Sequence, residues 1–192
     1  SWVTKFNSEK RFMPYLNKGW DLYMPAAAYN ESMVDNNPYE GKLYKSETPT
    51  MPYDLKTMYD KNGAGVIRST PFGNDLLAEF AKEAIAKEEL GKDNITDFLA
   101  VSFSSTDYVG HLLGPRSMEL QDTYLRLDQT IADFLAYLDK TVGKDNYLLF
   151  LTADHAGAEN VGYLKDNKYA VDYISPKDIR KSLSDFSMKT FG

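Results

Sequence analysis

The sequence predicts an α/β fold: a parallel-sheet βαβ core with helices on both faces, present as a partial domain. An irregular, loop-rich N-terminal region precedes it. Three observations carry this expectation. DFLAVSFSS at 97–105 and NYLLFLTAD at 146–154 are mostly apolar runs of strand length, as expected of strands buried on both faces. Between them, SMELQDTYLRLDQTIADFLAYLDKTVG has apolar residues spaced by threes and fours, the period of a helix. Strand, long helix, strand is the βαβ unit, whose crossover is right-handed and whose strands run parallel.

The elements follow in order along the chain. Residues 2–18 place Val3, Phe6, Met13 and Leu16 among charges, a short amphipathic helix despite Pro14. Residues 19–70 contain Pro25, Pro38, Pro49 and Pro52 with NNPYEG and KNGAG, which marks irregular, turn-rich structure draped over a core. Gly63 and Gly65 form a turn rather than a phosphate loop, because no strand-to-helix setting and no Lys-Ser/Thr pair follows. In TPFGNDLLAEFAKEAIAKEELG, Asn74 is placed as the helix cap, Leu76, Phe80 and Ala84 stack with Leu77, Ala81 and Ile85, and Gly91 is the stop. The long helix starts on a Ser117 cap with Glu119 in its first turn, and Leu120, Tyr124, Leu127, Ile131, Phe134 and Leu138 form its apolar face until Gly143. Ser175-Pro176 opens a last short helix. The chain divides into a covering segment with a short helix at 1–70 and part of an α/β core at 71–192.

Composition narrows the function. At 192 residues with 43% hydrophobic and 14% aromatic content, the chain has material for a sizeable core. Its net charge of −6 and lack of a basic cluster exclude a nucleic-acid face. With no cysteine, neither disulfides nor thiolate metal sites are available. No apolar run reaches the length of a membrane span. SWVTKFNSEKRF lacks an initiator Met and the apolar core of a signal peptide, and DFSMKTFG ends without a polar tail, so both ends read as internal to a longer protein.

The chemistry concentrates at two points. Only two histidines occur: His111 follows Asp107 by four residues in STDYVGHLLGP, and His155 follows Asp154 directly in LLFLTADHAGAEN. Parallel strands end at one sheet edge, where ligands of open α/β folds bind, so the topology carries both Asp/His pairs to one rim. Imidazole nitrogen with carboxylate oxygen is a donor set that Zn²⁺ accepts. Gly110 is expected to let a short loop turn so that Asp107 and His111 face inward. The bland alternative is a pair of strand-end residues that only cap and turn. Ser104, Ser105 and Thr106 adjoin Asp107 and are read as shaping the strand end rather than as nucleophiles. Arg68 and Arg116 are read as surface salt-bridge partners, and Asp122, Asp128 and Asp133 as a solvated helix face.

LTADHAG resembles the T-A-D-H-G segment of the alkaline phosphatase superfamily, and SFSSTDYVGHLLGP resembles its D-x-x-x-H partner. The longer pattern from TPFGN through YLRLD to FLTADH is similar to the single-domain, PafA-type alkaline phosphatases, relatives of the nucleotide pyrophosphatase/phosphodiesterases. The similarity covers roughly residues 1–165. One departure is Ala156, where the family has Gly after the histidine.

This resemblance implies a two-zinc hydrolase of small-molecule phosphate monoesters, periplasmic or secreted. Asp107 and His111 match two ligands of one zinc; Asp154 and His155 match two ligands of the other. It also implies a Thr or Ser nucleophile, a third Asp and a further His, none of which has a counterpart here. No catalytic residue is therefore assigned within the chain, and the 192 residues alone are expected to be inactive. Two other functions compete: a phosphodiesterase or nucleotide pyrophosphatase on the same metals, and a metal-free structural or binding module.

Overall fold

The computed structural model describes residues 1–192, in two compact units, Ser1–Ala158 and Glu159–Gly192. In the first, α1 (Trp2–Ser8) and α2 (Met13–Lys18) replace the single expected helix. Ser1 caps α1 through its side chain, and Pro14 falls in the first turn of α2, where a missing N–H costs little. Residues 19–54 contain only two short 3-10 turns, Ala26–Ala28 and Leu43–Lys45, and one isolated antiparallel bridge between Trp20 and Tyr53. Then come α3 (Leu55–Asn62), capped by Asp54, and the 3-10 segment Ala64–Ser69. Gly63, at φ +78°, ends α3 in a backbone conformation that a residue with a Cβ resists.

Helix α4 spans Phe72–Lys87, α5 spans Ser105–Leu113 and α6 spans Met118–Leu138, which runs on into a π-helical turn at Asp139–Gly143. Ser117 accepts from the Leu120 N–H and fixes the start of α6 as the sequence predicts. Helices α4, α5 and α6 pack on one another. Asn74 is not the cap of α4: Pro71 occupies that position, and Asn74 is buried inside the helix. The second unit contains α7 (Val161–Asp166) and α8 (Pro176–Phe191). Ser175 caps α8 from outside, and the helix runs to 16 residues rather than a short piece.

No β-ladder forms among these residues, so the expected parallel sheet is not shown within the chain. Residues 97–103 and 147–153 take no regular secondary structure, and Phe98 and Leu148 stand 86% and 83% exposed. A strand is made by a neighbour's N–H and C=O groups. The apolar pattern shows that these residues suit such a place; it does not supply the neighbour.

Two apolar clusters hold the first unit together. One joins Leu16, Trp20, Leu43, Tyr53, Leu55 and Val66 to Phe72 of α4 and to Val109 and Leu113 of α5. The other packs Ala81 and Ile85 of α4 against Phe134 and Leu138 of α6. Fully buried Leu113 ties α5 to the first cluster, and truncating such a side chain to Ala typically costs about 2–5 kcal/mol. The N-terminal half of α6 departs from the expected apolar face. It buries Glu119, Asp122 and Thr123 and leaves Tyr124 57% exposed.

Candidate metal centre

Helix α5 determines where Asp107 and His111 point. Ser105, Val109 and Leu113 form its buried stripe, spaced by four, so Asp107 and His111 share the opposite, solvent-facing side. The sequence places them in a loop; the structure places them one turn apart on a helix. Gly110 therefore makes no turn. A Cβ there would meet Leu120 of α6 at 3.7 Å, an ordinary contact.

The second pair sits at a bend that follows the irregular segment 147–153. The two histidines meet at Asp107, and Asp154 joins through His155. The Asp107 Oδ1 lies 3.4 Å from His111 Nε2 and 3.7 Å from His155 Nε2, and His155 Nε2 lies 3.7 Å from Asp154 Oδ2. These separations are long for N–H···O hydrogen bonds. They are close to the roughly 3.4 Å between two donors held about 2.1 Å from one tetrahedral ion. No three acidic or imidazole side chains, however, close around a single point that could hold an ion. The pairs have ligand spacing; a complete cage is not formed by these residues alone.

The orientation of His155 is informative. Its Nδ1 lies 3.1 Å from the Ala156 carbonyl oxygen, which can only accept, so Nδ1–H is the donor. In the neutral ring, Nε2 is then the bare nitrogen, turned toward the two carboxylates. A ligating histidine is commonly held in this way, with its far N–H on a backbone carbonyl. The same carbonyl, helped by Asp154 and Asp107, raises the pKa of His155 above its usual value. The Asp154 Oδ1 accepts from the His155 backbone N–H at 3.1 Å.

Around this centre, Ser104 bonds Ser102 through its hydroxyl, and the Arg68 guanidinium lies over the Tyr108 ring at 5.0 Å, a cation–π contact rather than a salt bridge. A separate cleft of about 330 Å³ lies between α4 and α6, lined by Tyr15, Asp75, Arg126 and Thr130 among others. None of the four Asp/His residues borders it.

Two buried polar residues depart from what the sequence predicts. Asp122 is fully buried rather than solvated: its oxygens accept from Trp20 Nε1 (2.8 Å), the Tyr23 N–H (2.7 Å), the Tyr29 hydroxyl (2.5 Å) and Arg126 Nε (2.6 Å). Asn74 bonds the first turn of α5. A signal for Asn74 existed: positions 74, 78, 81 and 85 form the buried stripe of α4, and a buried amide must have partners.

Comparison with known proteins places the chain in a family. The family model for type I phosphodiesterase / nucleotide pyrophosphatase matches residues 5–188, and the chain belongs to that family. Among curated relatives, alkaline phosphatase PafA of Elizabethkingia meningoseptica is 45% identical over 192 residues, which is all of this chain and 35% of that protein. Alkaline phosphatase PhoV of Synechococcus elongatus is 48% identical over 166 residues, 86% of this chain and 30% of that protein. A Myroides odoratus protein named calcium-transporting ATPase is 48% identical over 193 residues, again all of this chain and 35% of its own length. The crystal structure of wild-type PafA superposes with a TM-score of 0.90 at 44% identity, covering 98% of this chain and 36% of that one. The fold is thus alkaline-phosphatase-like, and the chain spans about a third of the length of these relatives.

Proposed function

We propose that these residues form part of a zinc-dependent alkaline phosphatase that hydrolyses small-molecule phosphate monoesters. Asp107, His111, Asp154 and His155 would donate ligands to two zinc ions, whose remaining ligands lie outside the 192 residues. One observation carries this: Asp107 stands at ligand distance from both imidazoles, which come from separate elements of a chain 44–48% identical to alkaline phosphatases. Zinc bound there would supply Lewis-acid stabilisation for oxygens that gain charge during phosphoryl transfer. The chain's own part is to hold two carboxylates and two imidazoles in place. His155 keeps its proton on Nδ1 against the Ala156 carbonyl and presents Nε2. The attacking hydroxyl comes from elsewhere in the full-length protein, because no Ser or Thr here is assigned as nucleophile.

The family model favours a second substrate class on the same residues, phosphodiesters or nucleotide pyrophosphates. Export to the periplasm or the medium belongs to the same proposal; within the chain, no helix is long and apolar enough to cross a membrane. The test is the full-length protein with p-nitrophenyl phosphate beside bis-p-nitrophenyl phosphate, before and after chelation and zinc restoration. Faster monoester turnover that zinc restores supports the phosphatase. Preferential diester cleavage would transfer the assignment to the second class, and turnover unaffected by chelation would end both.

A further inference from the structure

Helix α5 carries two of the proposed ligands, yet it lacks a cap of its own. The Ser104 side chain makes no capping bond to the first turn and instead pairs with Ser102 at 2.9 Å. The first N–H groups of a helix need acceptors. One comes from another helix: the Ser105 N–H donates to Asn74 Oδ1 at 3.2 Å, and Asn74 Nδ2 donates to Thr106 Oγ1 at 3.1 Å. Asn74 is 1% exposed and sits in the first turn of α4, so its position is fixed by burial on both sides. Its neighbour Gly73 brings the two helix starts into contact, since a Cβ there would lie 2.1 Å from Ser105 Oγ and 2.9 Å from the Ile67 carbonyl oxygen.

We infer that Asn74 is a positioning residue for the metal centre, a cap supplied in trans that fixes the first turn of α5 and, through it, the Asp107 carboxylate. Asp107 is two residues beyond Ser105, within the turn that Asn74 holds. His111 is a turn further on, anchored by buried Val109 and Leu113, and depends on Asn74 less. Fraying of the first turn would move Asp107 away from both imidazoles while leaving the rest of α5 seated.

The test, resting on the metal-site proposal above, uses the full-length enzyme. It reads zinc affinity by competition with a chromophoric chelator, together with kcat and KM for p-nitrophenyl phosphate. Asn74→Ala should lower zinc affinity and kcat roughly 10–100-fold, the usual loss when an outer partner of a ligand is removed, with KM little changed. Asn74→Asp should recover most of this, because Oδ1 still accepts from Ser105 and the Thr106 hydroxyl can turn to donate. Ala81→Gly, which weakens the same helix away from α5, should leave zinc affinity and kcat as they are. If Asn74→Ala does not fold, Thr106→Val, which removes only the hydroxyl, carries the same expected direction. Unchanged zinc affinity in Asn74→Ala (or in Thr106→Val, where that stands in), equal losses in the Ala and Asp variants, or an equal loss in Ala81→Gly would each overturn the inference. Asp107→Ala separates the two levels: if it leaves zinc affinity intact, the metal-site proposal itself falls; if it abolishes binding while Asn74→Ala does not, only the role of Asn74 falls.

Discussion

His155 Nε2 lies 3.7 Å from the Asp107 Oδ1, although His155 is at a bend outside any helix and Asp107 is on α5. The same oxygen is 3.4 Å from His111 Nε2, so Asp107 stands between the two histidines. If the proposed phosphatase reading holds, Asp107→Ala and His155→Ala in the full-length protein should each lower p-nitrophenyl phosphate turnover by more than the roughly 100-fold typical of an outer partner. Both side chains are about half exposed or more, so the melting temperature should hardly move, with stability changes within about 0.5 kcal/mol. Near-normal turnover in either variant would reject the ligand assignment.

The 192-residue chain by itself should bind zinc weakly and turn over no phosphate ester efficiently. No three of its acidic and imidazole side chains surround one point, whereas a catalytic zinc normally has three protein ligands. Calorimetric titration with zinc and a phosphatase assay on the purified chain check this. Submicromolar binding of two ions, or turnover comparable with complete enzymes, would contradict it.

Asp122→Ala should be among the most destabilising single changes on α6. It removes a buried carboxylate and leaves Arg126 Nε, Trp20 Nε1 and the Tyr29 hydroxyl without their acceptor. Breaking a buried ion pair from one side costs about 3–5 kcal/mol. Asp128→Ala, on the exposed side of the same helix, should stay within about 0.5 kcal/mol. Chemical denaturation of both variants provides the comparison, and equal effects would mean that Asp122 is not the hub it is taken to be.

Stability should fall as pH rises from about 5 to 8. Burial, with added repulsion from neighbouring carboxylates, pushes Glu119 up to about 7 and Glu40 up to about 8, from an ordinary value of 4.5. Between those values the folded chain holds protons that the unfolded chain has released, so folding weakens with each step in pH. The contribution is fully present below pH 4.5 and is lost as pH passes through the two raised values. Glu119 faces the Tyr53 hydroxyl, which donates to its Oε1 at 2.5 Å, with Asp35 and Asp122 also near. Glu119→Gln should flatten the pH dependence of the melting temperature; an unchanged slope would show that Glu119 titrates normally.

The helices were legible because their signals are local. Ser117 and the three-and-four spacing fix α6, Ser175-Pro176 fixes the start of α8, and Pro14 falls where a helix tolerates it. The two Asp/His pairs were legible as chemistry, since residue type and adjacency are written in the chain. Their support is less so: the apolar run before Asp107 and the presence of Gly110 suggest a loop where α5 forms, while the stripe of Ser105, Val109 and Leu113 that makes it a helix has meaning only against Trp20, Leu43 and Phe72.

By itself the sequence determined the helix boundaries set by caps and prolines and the donor atoms available for a metal. Only the tertiary structure decided that Asp122 and Asn74 are buried partners rather than a solvated face and a cap, and that Asp107 stands between both histidines. The sheet shows the same division, because an apolar run can be read from residues but a ladder needs hydrogen-bonding groups on another strand. Capping and periodicity act over a few residues along the chain, and the chain therefore displays them. Burial, desolvation and ligand spacing are set by atoms distant in sequence, and they exist only once the packing of α4, α5 and α6 has brought those atoms together.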